Sequence, residues 1–255
     1  MTTIAAFSDV HGNTPALRAV LDAIADLGSD IIVNLGDIAS GGVDPRGTLD
    51  VLRARTDIVT VKGNHERQLL TRPRASMSRS DQLAYDVLGD DDRAWLDALP
   101  TRSEPTDGVL AFHGSPSDDL CYLLETVDVT AANALREATD AEVLERLGDD
   151  AGRFRLHLCG HTHLQRTRAL PGGALVVNPG SVGWPAYTDD HPAPHAVEAG
   201  TPHARFSTAT RRDDGAWTVS EHAIAYDVDE AVALAESNQR PDVAYALRTG
   251  LVARQ

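Results

Sequence analysis

The chain has 255 residues, 38 acidic and 23 basic, with a formal charge of −15. That length allows a sizeable buried core, and 42% hydrophobic with 24% charged residues is too apolar for a disordered chain. An acidic surface repels phosphate backbones, which excludes broad nucleic-acid coating but not a phosphate held locally through bound cations. Lys62 is the only lysine, so positive charge rests on arginine. Cys121 and Cys159 are too few for a disulfide scaffold and read as free thiols of a reducing, cytoplasmic compartment. Met1 to Asp9 has no basic leader, and no apolar run approaches the ~18 residues of a membrane span, so no membrane partner is expected.

In chain order, Ile4 to Phe7 is a short strand broken by Ser8-Asp-Val-His-Gly-Asn13. Thr14-Pro15 starts a helix, Leu17, Leu21, Ile24 and Leu27 recur at helical spacing, and Gly28 suits a left-handed C-cap. Ile31 to Leu35 is a second strand, stopping at Gly36-Asp37. A helix around Thr48 to Arg53 leads to a third strand, Ile58 to Lys62, which stops at Gly63-Asn-His-Glu66. The middle is more helical, with about Ser80 to Leu99 reading as amphipathic packing. Val109 to Phe112 is a strand ending at His113-Gly-Ser-Pro116. A helical segment is expected near Thr130 to Leu147, then strands over Phe154 to Leu158 and Ala174 to Val177. Trp184 to Pro202 reads as a long surface loop. His203 to Thr210 and Ala216 to Tyr226 form a hairpin turning at Asp213-Asp-Gly215, and Val228 to Glu236 a late helix. Strands alternating with helices imply a buried sheet of the α/β class. Residues 1–255 are expected to form one domain, with the chemistry-bearing motifs within 8–163 and the segment of about 203–238 completing the fold.

Polar groups of metal-ligand type cluster immediately after strands: Asp9 and His11, Asp37, Asn64 and His65, His113, then His161 and His163. Groups beyond the carboxyl ends of parallel strands converge on one rim, where ligands bind. Asp9/His11 and His161/His163 are i, i+2 pairs, which an extended backbone points to the same side. Buried polar groups left without partners cost about 1–3 kcal/mol each. A cation satisfies such a set together.

Ser8-Asp-Val-His-Gly-Asn13, Gly36-Asp37, Gly63-Asn-His-Glu66, His113-Gly114 and Gly160-His-Thr-His163 resemble, in order, the five motif blocks of the calcineurin-like metallophosphoesterases. Gly36-Asp-Ile-Ala-Ser-Gly-Gly-Val-Asp-Pro45 and Asn178-Pro-Gly-Ser-Val182 are most similar to the small bacterial and archaeal phosphodiesterase-like branch. The resemblance implies a four-layer α/β/β/α sandwich with a two-metal centre on its rim. By matching position it assigns Asp9, His11 and His163 to one metal and Asn64, His113 and His161 to the other. Asp37 bridges both, and His65 stabilises developing charge or protonates the leaving oxygen. Cations sharing a carboxylate lie about 3.5–4 Å apart and polarise one water, as a bridging hydroxide, for in-line attack on phosphorus. Such mixed sites accept Mn²⁺, Fe²⁺/Fe³⁺, Zn²⁺ or Ni²⁺ according to supply.

The resemblance also has departures. Where the phosphoprotein phosphatases and symmetrical dinucleoside tetraphosphatases carry an arginine turn after the second-block aspartate, this chain has Ser40-Gly-Gly42, which disfavours protein phosphatase activity. Among arginines able to reach a phosphate (Arg46, Arg67, Arg166, Arg168), Arg67 is the best placed because it follows the third block. Asn13 either reaches the metal rim or caps the first helix. Asn178-Pro-Gly-Ser181 either offers N–H groups to a phosphate or is a turn. His191, His195 and His203 read as exposed titrating groups, His157 as packed in the sheet, and Cys159 as a small buried hydrophobe. The expected function is hydrolysis of a P–O bond in a small phosphodiester or nucleotide-like substrate. An asymmetric dinucleoside-polyphosphate hydrolase or a phosphomonoesterase are the alternatives within the class, and an interaction scaffold of the same fold lies outside it. Oligomeric state is not legible.

Overall fold

Short strands that are apolar on both sides need cover on both faces, and the chain supplies it by stacking two sheets between helices. The computed structural model describes residues 1–254. Its first half contains β1 (Thr2–Phe7), α1 (Thr14–Leu27), β2 (Ile31–Asn34), α2 (Pro45–Arg53), β3 (Ile58–Thr60), α3 (Asn64–Thr71), α4 (Arg79–Val87) and α5 (Asp90–Asp97). Next come β4 (Arg102–Ser103), β5 (Val109–Phe112), β6 (Glu125–Val127), β7 (Leu135–Glu137), α6 (Asp140–Leu147), β8 (Leu156–Leu158), β9 (Gln165–Ala169) and β10 (Leu175–Pro179). The last part holds β11 (Ala186–Asp189), β12 (His195–Glu198), β13 (Ala204–Arg211), β14 (Trp217–Ile224), α7 (Val228–Ser237) and α8 (Pro241–Thr249).

One five-stranded sheet runs β14-β13-β1-β2-β3 and the other β4-β5-β8-β10-β9. Each has three parallel strands, with antiparallel strands added at one edge or at both. Ile4, Ala6, Val33 and Leu35 of the first sheet pack against Val109, Ala111, Leu156, Leu158 and Val177 of the second, forming the layer between them. Ala5 and Phe7 face the other way, onto Leu17, Val20 and Ile24 of α1 and Leu49 and Leu52 of α2. On the far side, Leu110, Phe112 and Val176 meet Val143 and Leu147 of α6. The expected four-layer α/β/β/α order follows directly from this alternation of side chains along each strand.

Several local expectations need correction. Ser80 to Leu99 is two helices, broken at Leu88-Gly89, because the Gly89 N–H donates to Asp92 (2.7 Å) and starts α5 afresh. The expected helix over 130–147 begins only at Asp140, where Thr139 caps it and Glu142 closes a capping box. The residues before it pair β7 with β6. The segment Trp184 to Pro202 contains the β11–β12 hairpin rather than a plain loop. His195 on that hairpin is 5% exposed, not solvated, with Nε2 3.0 Å from the Tyr122 hydroxyl. His157 is buried within β8, and Cys159 belongs to the core beside α6. Among the described residues, no helix is long and apolar enough to cross a membrane.

Asp92 ties α2 to α5. It accepts from Arg46 Nη2 and Arg53 Nη1, each at 2.6 Å. The Arg46 bond, opposed by burial but helped by the Gly89 and Arg53 donors, lowers the carboxyl from 3.8 to about 2. A carboxylate held below its unfolded value adds stability above that value and loses it as pH falls towards the folded one. Thermal denaturation of Asp92→Asn should therefore trail the parent most above about pH 4, with the gap closing towards about pH 2. A gap that ignores pH would contradict the ion pair.

Candidate metal centre

The rim is built from turns that leave strand geometry abruptly. Asp9 (φ 57°), His11 (50°), Asp37 (54°), His161 (71°) and His163 (58°) all lie in the left-handed region. Among other described non-glycine residues, only Asn133, Ala134 and Gln239 have positive φ. Asp, Asn and His tolerate this region best, and such conformations gather at functional sites. The two i, i+2 pairs are therefore not aligned by extended backbone, as the sequence suggests. They sit on tight turns, and His161 and His163 reach different neighbours. Backbone bonds lace the first two turns together: the N–H groups of Asp9, His11 and Gly12 donate to the carbonyls of Gly36, Asp37 and Ile38 at 2.8–3.0 Å. Contact is so close that a Cβ on Gly41 would lie 1.7 Å from the His11 carbonyl, and one on Gly63 2.2 Å from Asp37 Oδ1.

Three overlapping groups of donor atoms result, Asp9 with His11 and His163, Asp37 with His113 and His161, and, between them, His11 with Asp37 and His65. Within each, the potential ligand atoms lie within 4.8 Å of one another. His11 Nε2 is 3.0 Å from His163 Nε2, which is 3.3 Å from Asp9 Oδ1. Asp37 Oδ2 is 3.1 Å from His113 Nε2 and 3.9 Å from His11 Nε2, so it reaches into both of the first two groups. The tip of Asn64 lies 3.0 Å from His113 Nε2 and from His161 Nδ1, and 3.2 Å from Asp37 Oδ2. Asp9, His11, Asp37 and His113 are 0–2% exposed.

Second partners fix how the rings present themselves. The Nδ1–H groups of His11, His113 and His163 donate to the carbonyls of Ser40 (2.6 Å), Leu35 (2.7 Å) and Trp184 (2.6 Å). His161 uses Nε2 instead, towards the Leu120 carbonyl at 3.2 Å. The hydrogen-bond network thus assigns the tautomers, and each remaining ring nitrogen turns a lone pair inward. His11 and His163 then oppose lone pairs at 3.0 Å, beside an Asp9 Oδ1 that is buried without a hydrogen-bond donor. Only a cation or an added proton relieves that arrangement. Burial, followed by the neighbouring histidine charge, lowers His11 to about 3 and His161 to about 4, which favours neutral rings. Burial also opposes a charge on His113, but Asp37 outweighs it and raises the ring to about 10. In the metal-free chain a proton on His113 thus stands where a cation would compete. A buried acceptor left without a donor, inward lone pairs and mixed N/O chemistry all fit divalent cations.

Other sequence candidates fall differently. His65 sits at the first turn of α3, its N–H donating to Asp37 Oδ1 (2.9 Å) and its Nδ1 2.7 Å from Asp81 Oδ1. Burial disfavours its charge, yet Asp37 and Asp81 raise it to about 9. Asn13 caps α1, accepting from the Ala16 N–H, and donates to the Gly183 carbonyl and the Tyr226 hydroxyl. Of its two readings the geometry shows the cap. Arg67, the arginine the sequence offers to phosphate, is gripped by Asp119 through two bonds of 2.6 Å. Arg46, Arg166 and Arg168 are likewise tied to Asp92, Glu125 and Asp140. Asn178 secures a turn, donating to Gly160 O and Thr162 Oγ1.

Two residues without an expected role stand out. Asp81, fully buried, holds His65 from α4; Ser78 and Asp81 look like a helix start, and nothing local signals the pairing. Glu66 accepts the N–H groups of Gly63, Asp37 and Ile38 at 2.8–2.9 Å and so pins the Asp37 turn to α3. Its place three residues after Gly63 is the sequence signal of a capping box. Glu66→Ala should cost about 2–4 kcal/mol in denaturant titration, since three backbone donors lose a charged acceptor. A cost within error of zero would show that the turn holds without it.

A sequence profile described as the calcineurin-like phosphoesterase superfamily domain matches residues 2–198. An uncharacterized protein of Methanocaldococcus jannaschii is 26% identical over 205 residues, covering 71% of this chain and 76% of that protein. Among solved structures, a metallophosphoesterase from Sphaerobacter thermophilus superposes with a TM-score of 0.68 at 24% identity, covering 96% of this chain and 98% of that one. A hypothetical protein from Pyrococcus horikoshii gives 0.72 at 18% identity, covering 99% and 100%. The structural likenesses bear on the fold, and the profile spans most of the chain including every turn of the rim: the chain belongs to the calcineurin-like phosphoesterase superfamily.

Proposed function

We propose that this chain is a metal-dependent phosphoesterase that hydrolyses a P–O bond of a small phosphodiester at a two-metal centre. The observation that carries the reading is the set of inward lone pairs, fixed by backbone carbonyls, at the wall of a cleft of about 1210 Å³. Asp9, His11 and His163 would hold one cation, and Asn64, His113 and His161 the other, with Asp37 shared. Bound there, the cations supply Lewis acidity towards phosphoryl oxygen and an acidified water. Manganese, iron, zinc and nickel all suit these donors.

The chain's own residues supply the rest. His65 lines the cleft, and Asp81 takes the Nδ1 proton, leaving the other ring nitrogen free to hold a proton for the leaving oxygen. The short α3 delivers Asn64 and His65 together, and Glu66 keeps that turn against Asp37, so ligand and proton donor share one rigid mount. Trp184, edge-on to His11 with ring centroids 5.0 Å apart, shields the rim from solvent.

Turnover of bis-p-nitrophenyl phosphate by Mn²⁺-reconstituted protein is expected, and its absence despite bound metal would favour an interaction scaffold. Asp37→Asn should lower bound metal at least about tenfold by elemental analysis while the circular-dichroism spectrum is kept. Two equivalents retained would count against a shared carboxylate. His65→Ala should keep metal and lose about 10²-fold or more on alkyl esters but less on nitrophenyl esters, whose leaving group needs no proton. Equal losses on both would remove His65 as proton donor.

A further inference from the structure

We infer that the cleft binds a second phosphate group of the same substrate through Arg72 and Arg79, away from the bond that is cleaved; this rests on the phosphoesterase reading. The chain carries a charge of −15, and most of its arginines sit against a carboxylate, as Arg46, Arg53, Arg67, Arg74, Arg166 and Arg168 do. Four arginines line the cleft. Arg240 is bound to Asp242, and Arg146 donates to the carbonyls of Tyr122, Leu123 and Glu125. Arg72 and Arg79 differ: among the described residues neither has a carboxylate within 4.0 Å. Arg79 gives one nitrogen to the Gln239 carbonyl at 2.8 Å, which steadies the guanidinium while leaving its charge unneutralised.

The placement is directional. His65, Gln68 and Arg72 all line the cleft; His65 and Gln68 lie on α3, and Arg72 follows its last residue in extended conformation (φ −86°, ψ 141°), its N–H still donating to the Gln68 carbonyl at 2.9 Å. The seven residues from His65 to Arg72, at about 1.5 Å each, set the two about 10 Å apart along the helix axis. Arg79 opens α4, the helix that also supplies Asp81 to His65. A cleft wall focuses the field of an unpaired cation more than open surface does. The guanidinium fork suits phosphate oxygens bidentately. A substrate with a single phosphodiester would reach the metal rim and leave both forks idle, whereas a nucleotide carrying a further phosphate engages both ends.

The test is binding, so that it does not depend on turnover. Metal-reconstituted protein is titrated calorimetrically with thymidine 3′,5′-bisphosphate and with thymidine 5′-monophosphate, for the parent and for Arg72→Ala/Arg79→Ala. The bisphosphate is expected to bind the parent at least about tenfold more tightly than the monophosphate, and the double variant to lose most of that ratio. Arg72→Lys/Arg79→Lys should restore part of it, and a thermal melt confirms that each variant is folded. Equal affinity of the parent for the two nucleotides, no binding of either, or a ratio unchanged in the double variant would each overturn the inference. Bisphosphate preference without turnover of bis-p-nitrophenyl phosphate would keep Arg72 and Arg79 as a phosphate site but overturn the phosphoesterase reading, and with it the assignment of that site to a cleaved substrate.

Discussion

The convergence of buried acceptors that outnumber the donors among them is the constraint on which the rest of this structure depends. Lone pairs on His11 and His163 oppose each other beside an unpartnered Asp9 oxygen, and Asn64, His161 and Asp37 crowd a second spot. Such an arrangement opposes folding, and backbone strain adds to the cost. Five residues in the left-handed region, at about 1 kcal/mol or more each, amount to a sizeable fraction of an ordinary domain's stability. The fold must therefore hold the rim from outside. It does so with backbone bonds between turns, with the Glu66 carboxylate on three N–H groups, and with glycines where the chain passes too closely for any Cβ.

The same constraint explains why the rim lies where two sheets meet. Asp9, His11, Asp37, Asn64 and His65 follow strands of the first sheet, while His113, His161 and His163 follow strands of the second. Neither sheet alone gathers the set. The apolar layer of Ile4, Val33, Val109 and Leu156 between them therefore fixes the distance between donor groups as well as burying area.

Much of this was legible in the sequence because the signals are local. Apolar runs that stop at Gly-Asp, Gly-Asn or Gly-His mark both the strand and its turn, and Thr14-Pro15 with Gly28 brackets α1 as expected. What was not legible is tertiary. Nothing near Asp81 announces His65, and nothing near Arg67 announces Asp119. The β11–β12 hairpin hides in a stretch rich in Pro, His and Asp, where propensity favours loop; pairing across the strands and the burial of His195 against Tyr122 override it. The break at Gly89 was readable in principle, since Gly with Asp three residues on is a capping signal, but amphipathic spacing on either side masked it.

The superfamily profile ends at residue 198, yet the C-terminal segment beyond it is no appendage. β13 pairs with β1, the strand that delivers Asp9 and His11, and buries Phe206 beneath α1. Further on, Arg240 stands between α7 and α8, bonded to the Gly41 carbonyl and the Ser80 hydroxyl and lying over the Trp184 ring at 5.6 Å. Gly41 is the residue whose backbone presses on His11, and Ser40 is the carbonyl that orients its ring. The C-terminal helices thus buttress the Ser40-Gly-Gly42 loop. A short Ser-Gly-Gly segment gives the close backbone approach to His11 but no side chain to brace it, and the brace arrives from 199 residues further along the chain. Residues beyond the matched segment thus brace the turn that carries His11 and, through Arg240, Asp242 and Ala246, complete one wall of the cleft.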